Sequence, residues 1–371
     1  MGRLSFLVLV AVPFLGAHAK NEVLIHGWKA EPDGRGTWSI LWSCLATIFI
    51  CTWSVLHLSV PRRHEWWYLL LRKARWMIVT AIALEYMLFL AADNYEDAQY
   101  LAKRLKSKGH GDWTSTHIRF AFAGGFHFKY REPNSKRWAP ESLETATVSQ
   151  DITCPPVSAD HLKSLGRSDV VVKAIAALQI IWFVLQVIFR AISHYRVTPL
   201  EIMTVAFVLC SILIFGFHFQ QPQDVEYPIV IEAKSEHVTR PCQIVMRSTA
   251  IMESSPFFLL FLFGSAFGGL HCLAWNSDFP TSHERLAWRI CSVTTTALPT
   301  FTTVLLYVDY LLDGKYGESK MRPEFQLVLP VLVYVSGRNT IIVLAFMSLR
   351  ALPPSAFETI RWNQYIPHFA S

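Results

Sequence analysis

Residues 197–217 read VTPLEIMTVAFVLCSILIFGF, a run whose only charged side chain is Glu201. Roughly 20 consecutive apolar residues match the hydrocarbon thickness of a bilayer, so this stretch reads as a membrane-spanning helix. Six other stretches have the same character: 38–60, 76–92, 170–190, 256–275, 286–308 and 325–349. The fold class expected from them is an all-α integral membrane bundle of about seven transmembrane helices. Composition agrees, with 52% hydrophobic and 17% charged residues, against about 25% charged in soluble domains. It excludes a disordered, collagen-like or small disulfide-stapled chain. The net charge of +6 does not indicate a nucleic-acid partner, because the basic residues flank apolar runs instead of forming one polar patch.

Arg3, the apolar run 4–15 and Ala17-His18-Ala19 have the pattern of a secretory signal peptide over residues 1–19,. An uncleaved anchor is the alternative. Residues 20–371 then form a single transmembrane domain with long lumenal loops at 93–169 and 218–255. The mature N-terminus is expected in the lumen and the C-terminus in the cytosol. Short cytosolic loops attract Lys and Arg, and this assignment puts Arg62, Arg63, Arg72, Lys73, Arg75, Arg190, Arg196, Arg285, Arg289, Arg350 and Arg361 on the cytosolic side. The location is the endoplasmic reticulum or another endomembrane, and membrane lipids are necessary partners. Residues 95–108 read as an amphipathic helix capping the bundle. Cys154 and Cys242 are each the only cysteine of their lumenal loop. In an oxidising compartment they are expected to form a disulfide; the other five cysteines fall in or beside spans and read as small apolar residues.

No P-loop, Gly-x-Ser-x-Gly, His-Glu-x-x-His or Cys-x-x-Cys occurs,, and no cofactor or metal ion is expected. Asp93-Asn94-Tyr95-Glu96-Asp97 is a single acidic cluster with no second one to complete a magnesium diphosphate site, and reads as a solvated helix start. Chemistry is therefore sought in charged groups inside spans, which are costly in lipid and face a partner or a cavity. Glu85 lies ten residues beyond Arg75 and Arg338 twelve before Arg350, depths of about 15 and 18 Å at the helical rise. They are expected to meet, as a structural ion pair or as part of a polar cavity. Glu201, His57 and His271 share a shallower layer. Each has a structural alternative. Thr198-Pro199-Leu200-Glu201 is a capping box with Pro at the first helical position, Gly268-Gly269 before His271 allows close helix approach, and His57 is interfacial. The threonines around Pro299 bond their own helix carbonyls or line a pathway. The tryptophans of the first spans form an interfacial belt, and any turned inward offers a face to a cation.

Several strings become informative together: Gly34-Arg35-Gly36-Thr37 with Trp42-Ser43-Cys44-Leu45, His57-Leu58-Ser59-Val60-Pro61, Thr198-Pro199-Leu200-Glu201, Pro222-Gln223-Asp224-Val225, Phe267 to Trp275, and Leu349-Arg350-Ala351-Leu352-Pro353 with Ile366-Pro367-His368. The set resembles a large family of fungal multispanning membrane proteins that includes the transmembrane terpene cyclases of meroterpenoid biosynthesis. The resemblance implies an integral-membrane terpene cyclase of secondary metabolism. Its substrate is a lipophilic prenylated small molecule, and it associates with other enzymes of its pathway. Such chemistry needs an acid to protonate an alkene or epoxide, a dry pocket and aromatic faces for the cation. Glu85 and Glu201 are the candidate acids, with Asp93 at the lumenal edge in reserve, and Arg338 and His271 complete the candidate catalytic set. A non-enzymatic seven-helix transporter or receptor, and an accessory protein that recruits soluble enzymes, are the competing readings.

Overall fold

The computed structural model describes residues 23–31, 34–61, 63–107, 111–131, 138–142, 157–164, 170–219, 221, 225, 227–232, 255–316 and 323–359. The helices are α1 (Thr37–Val55), α2 (Trp66–Ile82), α3 (Leu84–Ser107), α4 (Ser115–Phe122), α5 (Ala159–Ser164), α6 (Val170–Ile192), α7 (Pro199–His218), α8 (Ser255–His271), α9 (Ser282–Tyr316) and α10 (Pro323–Met347). The strands are β1 (Ile25–His26), β2 (Phe126–Arg131), β3 (Trp138–Ser142), β4 (Ile229–Glu232) and β5 (Ala351–Leu352). The chain forms two compact units, the first from 1–51, 175–210 and 261–371, the second from 52–174 and 211–260.

The protein is mostly helical, as expected. Four helical segments are long and apolar enough to cross a membrane: Thr37–Val55, Ala174–Ile192, Pro199–His218 and Val328–Arg350. A fifth exists only if α2 and α3 count as one, and these meet at 105°. This departs from seven similar spans in three places. The stretch expected to cross over 76–92 is broken at Ala83, whose φ of −137° and ψ of 58° end α2. The amphipathic helix expected over 95–108 is the continuation of α3, a 24-residue helix. The apolar stretch Phe261–Ala274 is a shorter helix, and α9 runs for 35 residues, about 52 Å at the helical rise.

In the first unit β1 pairs antiparallel with β5, Ile25 opposite Leu352 and His26 opposite Ala351. Further links join helix ends. Arg35, just before α1, binds Glu201 in the first turn of α7, and Arg190 in the last turn of α6 lies 3.8 Å from the same carboxylate. Arg196, ahead of α7, pairs with Asp278 beyond α8 at 3.7 Å. Arg350, after α10, pairs with Glu284 at the start of α9. Each pairing joins two chain positions that must then lie on one side of a bilayer, so an even number of crossings separates them. For α7 with α8, and for α9 with α10, the count is two. Between the start of α1 and the end of α6 it is also two only if the bent α2–α3 pair makes no net crossing.

Small-residue packing sets the helix approach in this unit. Pro299 inside α9 has no N–H for the carbonyl of Thr295. Gly268 of α8 lies against that carbonyl, where an added Cβ would come within 2.7 Å of it. Gly269 has room, with Thr296 Cγ2 at 3.8 Å. The hydroxyls of Thr295, Thr296, Thr302 and Thr303 bond carbonyls of their own helix, and Thr300 meets Ser265.

The second unit has its own core of Ala98, Leu105, Trp113, Ile118, Phe120, Ala121, Phe126 and Leu162. Ala98 and Leu105, with Leu101 and Ala102 beside them, form the i, i+3, i+4, i+7 stripe of an amphipathic helix,. A three-stranded sheet in the order β3-β2-β4 adds a β element to the expected all-α fold, with β2 antiparallel to β3 and parallel to β4.

Candidate functional site

Residues 222–224 and 366–368 lie outside the described residues, and the candidate groups of the other strings occupy three places. The first is a buried ionic knot around Glu201. Thr198 caps α7 as the sequence predicts: its N–H and hydroxyl donate to Glu201 Oε2 at 2.8 and 3.0 Å, and its Oγ1 accepts the Glu201 N–H at 3.2 Å. Arg35 Nη2 donates to Glu201 Oε1 at 2.6 Å, from the turn that opens α1. There Thr37 exchanges hydrogen bonds with Lys29, and the Arg35 N–H reaches the Phe357 carbonyl at 3.2 Å. Arg190 holds the carbonyls of Arg196, Ser355, Ala356 and Glu358 at 2.7 to 3.2 Å. Among the described residues, Arg35 and Thr198 both donate to Glu201's oxygens, the surroundings of a carboxylate and not of a proton donor,. Both Nη atoms of Arg190 are thus held by backbone carbonyls.

The second is built on Phe267 to His271. His271 Nδ1 donates to the Phe267 carbonyl at 2.9 Å, a tautomer assigned from this network, and Nε2 accepts from Arg338 Nη1 at 3.2 Å,. Both residues are fully buried. The guanidinium lies 4.3 Å from the Phe267 ring centre and 5.3 Å from that of Phe207, and Trp288 Nε1 closes the cluster on the His271 carbonyl. The satisfied interhelical histidine is thus realised. Two of the protein's inward aromatic faces already hold a cation, that of Arg338.

The other expected acids belong to the second unit. Glu85 is buried, 4% exposed, in the first turn of α3 directly after the break at Ala83. The depth counted from Arg75 assumed one unbroken helix, which the break removes. Asp93 is in the middle of α3, partly exposed, and not at a helix start. His57 stacks on His218 in the second unit, while Glu201 and His271, expected in the same layer, belong to the first. Cys154 and Cys242 lie outside the described residues. Cys44, Cys51, Cys210, Cys272 and Cys291 form no disulfide among the described residues and are buried or half-buried.

The third place was missed by reading charges inside spans. In the second unit a cavity of about 170 Å³ is lined by His57, Ser59, Arg72, Asn94 and His218 with Trp76 and apolar side chains. A second cavity of about 310 Å³ shares Leu58, Ser59 and Arg72 with it and continues along Trp53, Leu69 and Leu70. The signal was present in His57-Leu58-Ser59-Val60-Pro61, but the partners His218 and Asn94 are far away in sequence. Outside the candidate spans, burial lowers the basicity of Arg119, with Tyr95 opposing, and its Nη1 is tied to the Phe217 carbonyl at 2.7 Å. No cluster able to hold a metal ion occurs among the described residues.

Fold and sites define a mostly helical protein with four or five helices fit to cross a bilayer, with helix ends tied by arginine ion pairs. The chain belongs to the family described as Family of unknown function (DUF8562), whose model matches residues 4–255 and 257–369. No curated protein and no solved structure matches it.

Proposed function

We propose that the protein is a multi-pass endomembrane protein that takes a lipophilic prenylated small molecule from the bilayer and cyclises its prenyl chain. The chain would cross six times, through α1 and α6 to α10. The ends of α6 and α10 that carry Arg190 and Arg350, together with β1 and β5, face the cytosol, and the long loops face the lumen. Relative to the sequence expectation, only the N-terminal segment and the loop 61–75 change sides. Residues 1–19 then act as an uncleaved segment.

The observation that supports chemistry is Glu85, a buried carboxyl beside a helix break. Both features mark functional positions in membrane helices. Glu85 in its protonated form gives its proton to a terminal alkene or epoxide of the substrate. The cation then travels as each double bond closes a carbon–carbon bond, and loss of a proton from the last cation restores the acid. The product is an isomer of the substrate, and no cofactor takes part. Glu201 is the weaker candidate because capping and two guanidiniums account for it.

A second reading, binding or transport without chemistry, is favoured by the cavity at Arg72, whose lining contains no carboxylate among the described residues. Expression of the chain in a host fed prenylated aromatics separates the two. Cyclisation by the natural sequence and its loss in Glu85→Gln at equal folded yield supports the cyclase. Unchanged substrate with well-folded natural protein supports binding alone.

A further inference from the structure

We propose that the two adjoining cavities at Arg72 bind an anionic amphiphile, with a phosphate or carboxylate head at Arg72 and an apolar chain along Trp53, Leu69 and Leu70. The inference uses the membrane reading of the chain but not its cyclisation chemistry.

Arg72 is a half-buried guanidinium on α2. Its Nη2 donates to the carbonyl and the hydroxyl of Ser59 at 2.7 and 2.9 Å. These bonds fix the plane of the guanidinium against the chain that follows α1. Nε and Nη1 remain as donors, and the group makes no ion pair among the described residues. A partly desolvated charge without a counterion is costly, and the planar fork matches the two oxygens of a carboxylate or phosphate.

The surroundings favour the same occupant. Among the described residues, no Asp or Glu lines either cavity. Where a carboxylate could neutralise Arg72, the wall offers the amide of Asn94 and the stacked rings of His57 and His218, with centres 4.3 Å apart and planes within 9°. Each histidine's Nδ1 is engaged with a backbone carbonyl, Val55 for His57 and Ile214 for His218, both at 3.2 Å. These contacts hold the rings as a fixed wall. Lys73, on the second cavity, lies 3.8 Å over the Trp53 ring and raises the positive potential there. The first cavity, at about 170 Å³, holds a headgroup, since one water occupies about 30 Å³ of liquid. The second is larger and mainly apolar in its lining, which a free anion would leave unfilled.

The test uses the full chain purified in a neutral sugar detergent and reads binding without turnover. Dodecyl phosphate is titrated calorimetrically, with dodecylphosphocholine and inorganic phosphate as comparators. Saturable one-site binding of dodecyl phosphate is expected, at least tenfold tighter than the zwitterion and unaffected by millimolar inorganic phosphate. Arg72→Gln should abolish that preference, and Asn94→Asp, which places a carboxylate in the cavity, should do the same. Both variants should melt as the natural protein does. If Arg72→Gln does not fold, Asn94→Asp alone carries the test, and Ser59→Ala, which removes one of the two bonds that orient the guanidinium, should weaken binding. Equal affinity for the zwitterion, or undiminished binding in both Arg72→Gln and Asn94→Asp, overturns the proposal. Competition by inorganic phosphate as strong as by the amphiphile also overturns it, since the site would then take free phosphate. A cyclisation assay that fails leaves these readings untouched.

Discussion

Ile25 stands opposite Leu352 in an antiparallel ladder, and the Gly27 N–H reaches the Arg350 carbonyl at 2.8 Å beside it. The chain therefore enters its first apolar helix and leaves its last at one level. On the proposed six-crossing reading both positions face the cytosol.

This relation gives the simplest prediction. An epitope placed ahead of Val23 and another placed after Glu358 should show the same protease sensitivity in sealed microsomes. Both should be digested from the cytosolic side. Cleavage of one tag with protection of the other would restore an odd number of crossings.

Glu201→Gln should be expensive whatever the activity is. It weakens the contact with Arg35 at 2.6 Å and with Arg190 at 3.8 Å, in a site where the carboxylate is 1% exposed. Breaking a buried ion pair on one side typically costs about 3–5 kcal/mol. Folded yield and thermal stability in detergent should fall together. Normal stability combined with lost activity would instead make Glu201 a working acid.

Gly268→Ala and Gly269→Ala should differ sharply although the residues are adjacent. A Cβ at Gly268 meets the backbone of Thr295 and Thr296 at 2.7 Å, which only a shift of α8 from α9 can relieve, whereas Gly269 has ordinary contact space. Overpacking of this kind costs about 1–3 kcal/mol. Melting of the two variants decides it, and equal stability would contradict the close approach.

Arg190→Lys keeps the charge and loses the fork. One ammonium cannot reach the four carbonyls that the guanidinium serves between Arg196 and Glu358,. The segment after α10 should become more sensitive to limited proteolysis while the rest of the chain stays protected. Unchanged protection would show that the β1–β5 pairing holds it alone.

Much of the helical content was legible because membrane helices are written as contiguous apolar runs, and each expected run contains helix. The cap of α7 was legible for a similar reason. Thr198, Pro199 and Glu201 lie within one turn, and a capping box needs no distant partner. His271 was readable as an interhelical contact from its glycines, although its partner Arg338 was not.

What stayed hidden depends on pairs remote in sequence or on backbone geometry that composition does not encode. The break at Ala83 falls inside a continuous apolar run, so hydropathy reads straight through it. Arg35 and Arg190 carry the residue type of topology markers, and only folding shows their forks occupied by Glu201 and backbone carbonyls. The cavity at Arg72 draws its walls from α2, α3, α7 and the turn after α1. The sequence by itself determined that this is a mostly helical chain with helices apolar enough for a bilayer, because hydrophobic length is a local property. The tertiary structure decided which ends meet, which charges are neutralised and where Arg72 is left facing a cavity, because those outcomes depend on side chains brought together across more than a hundred residues.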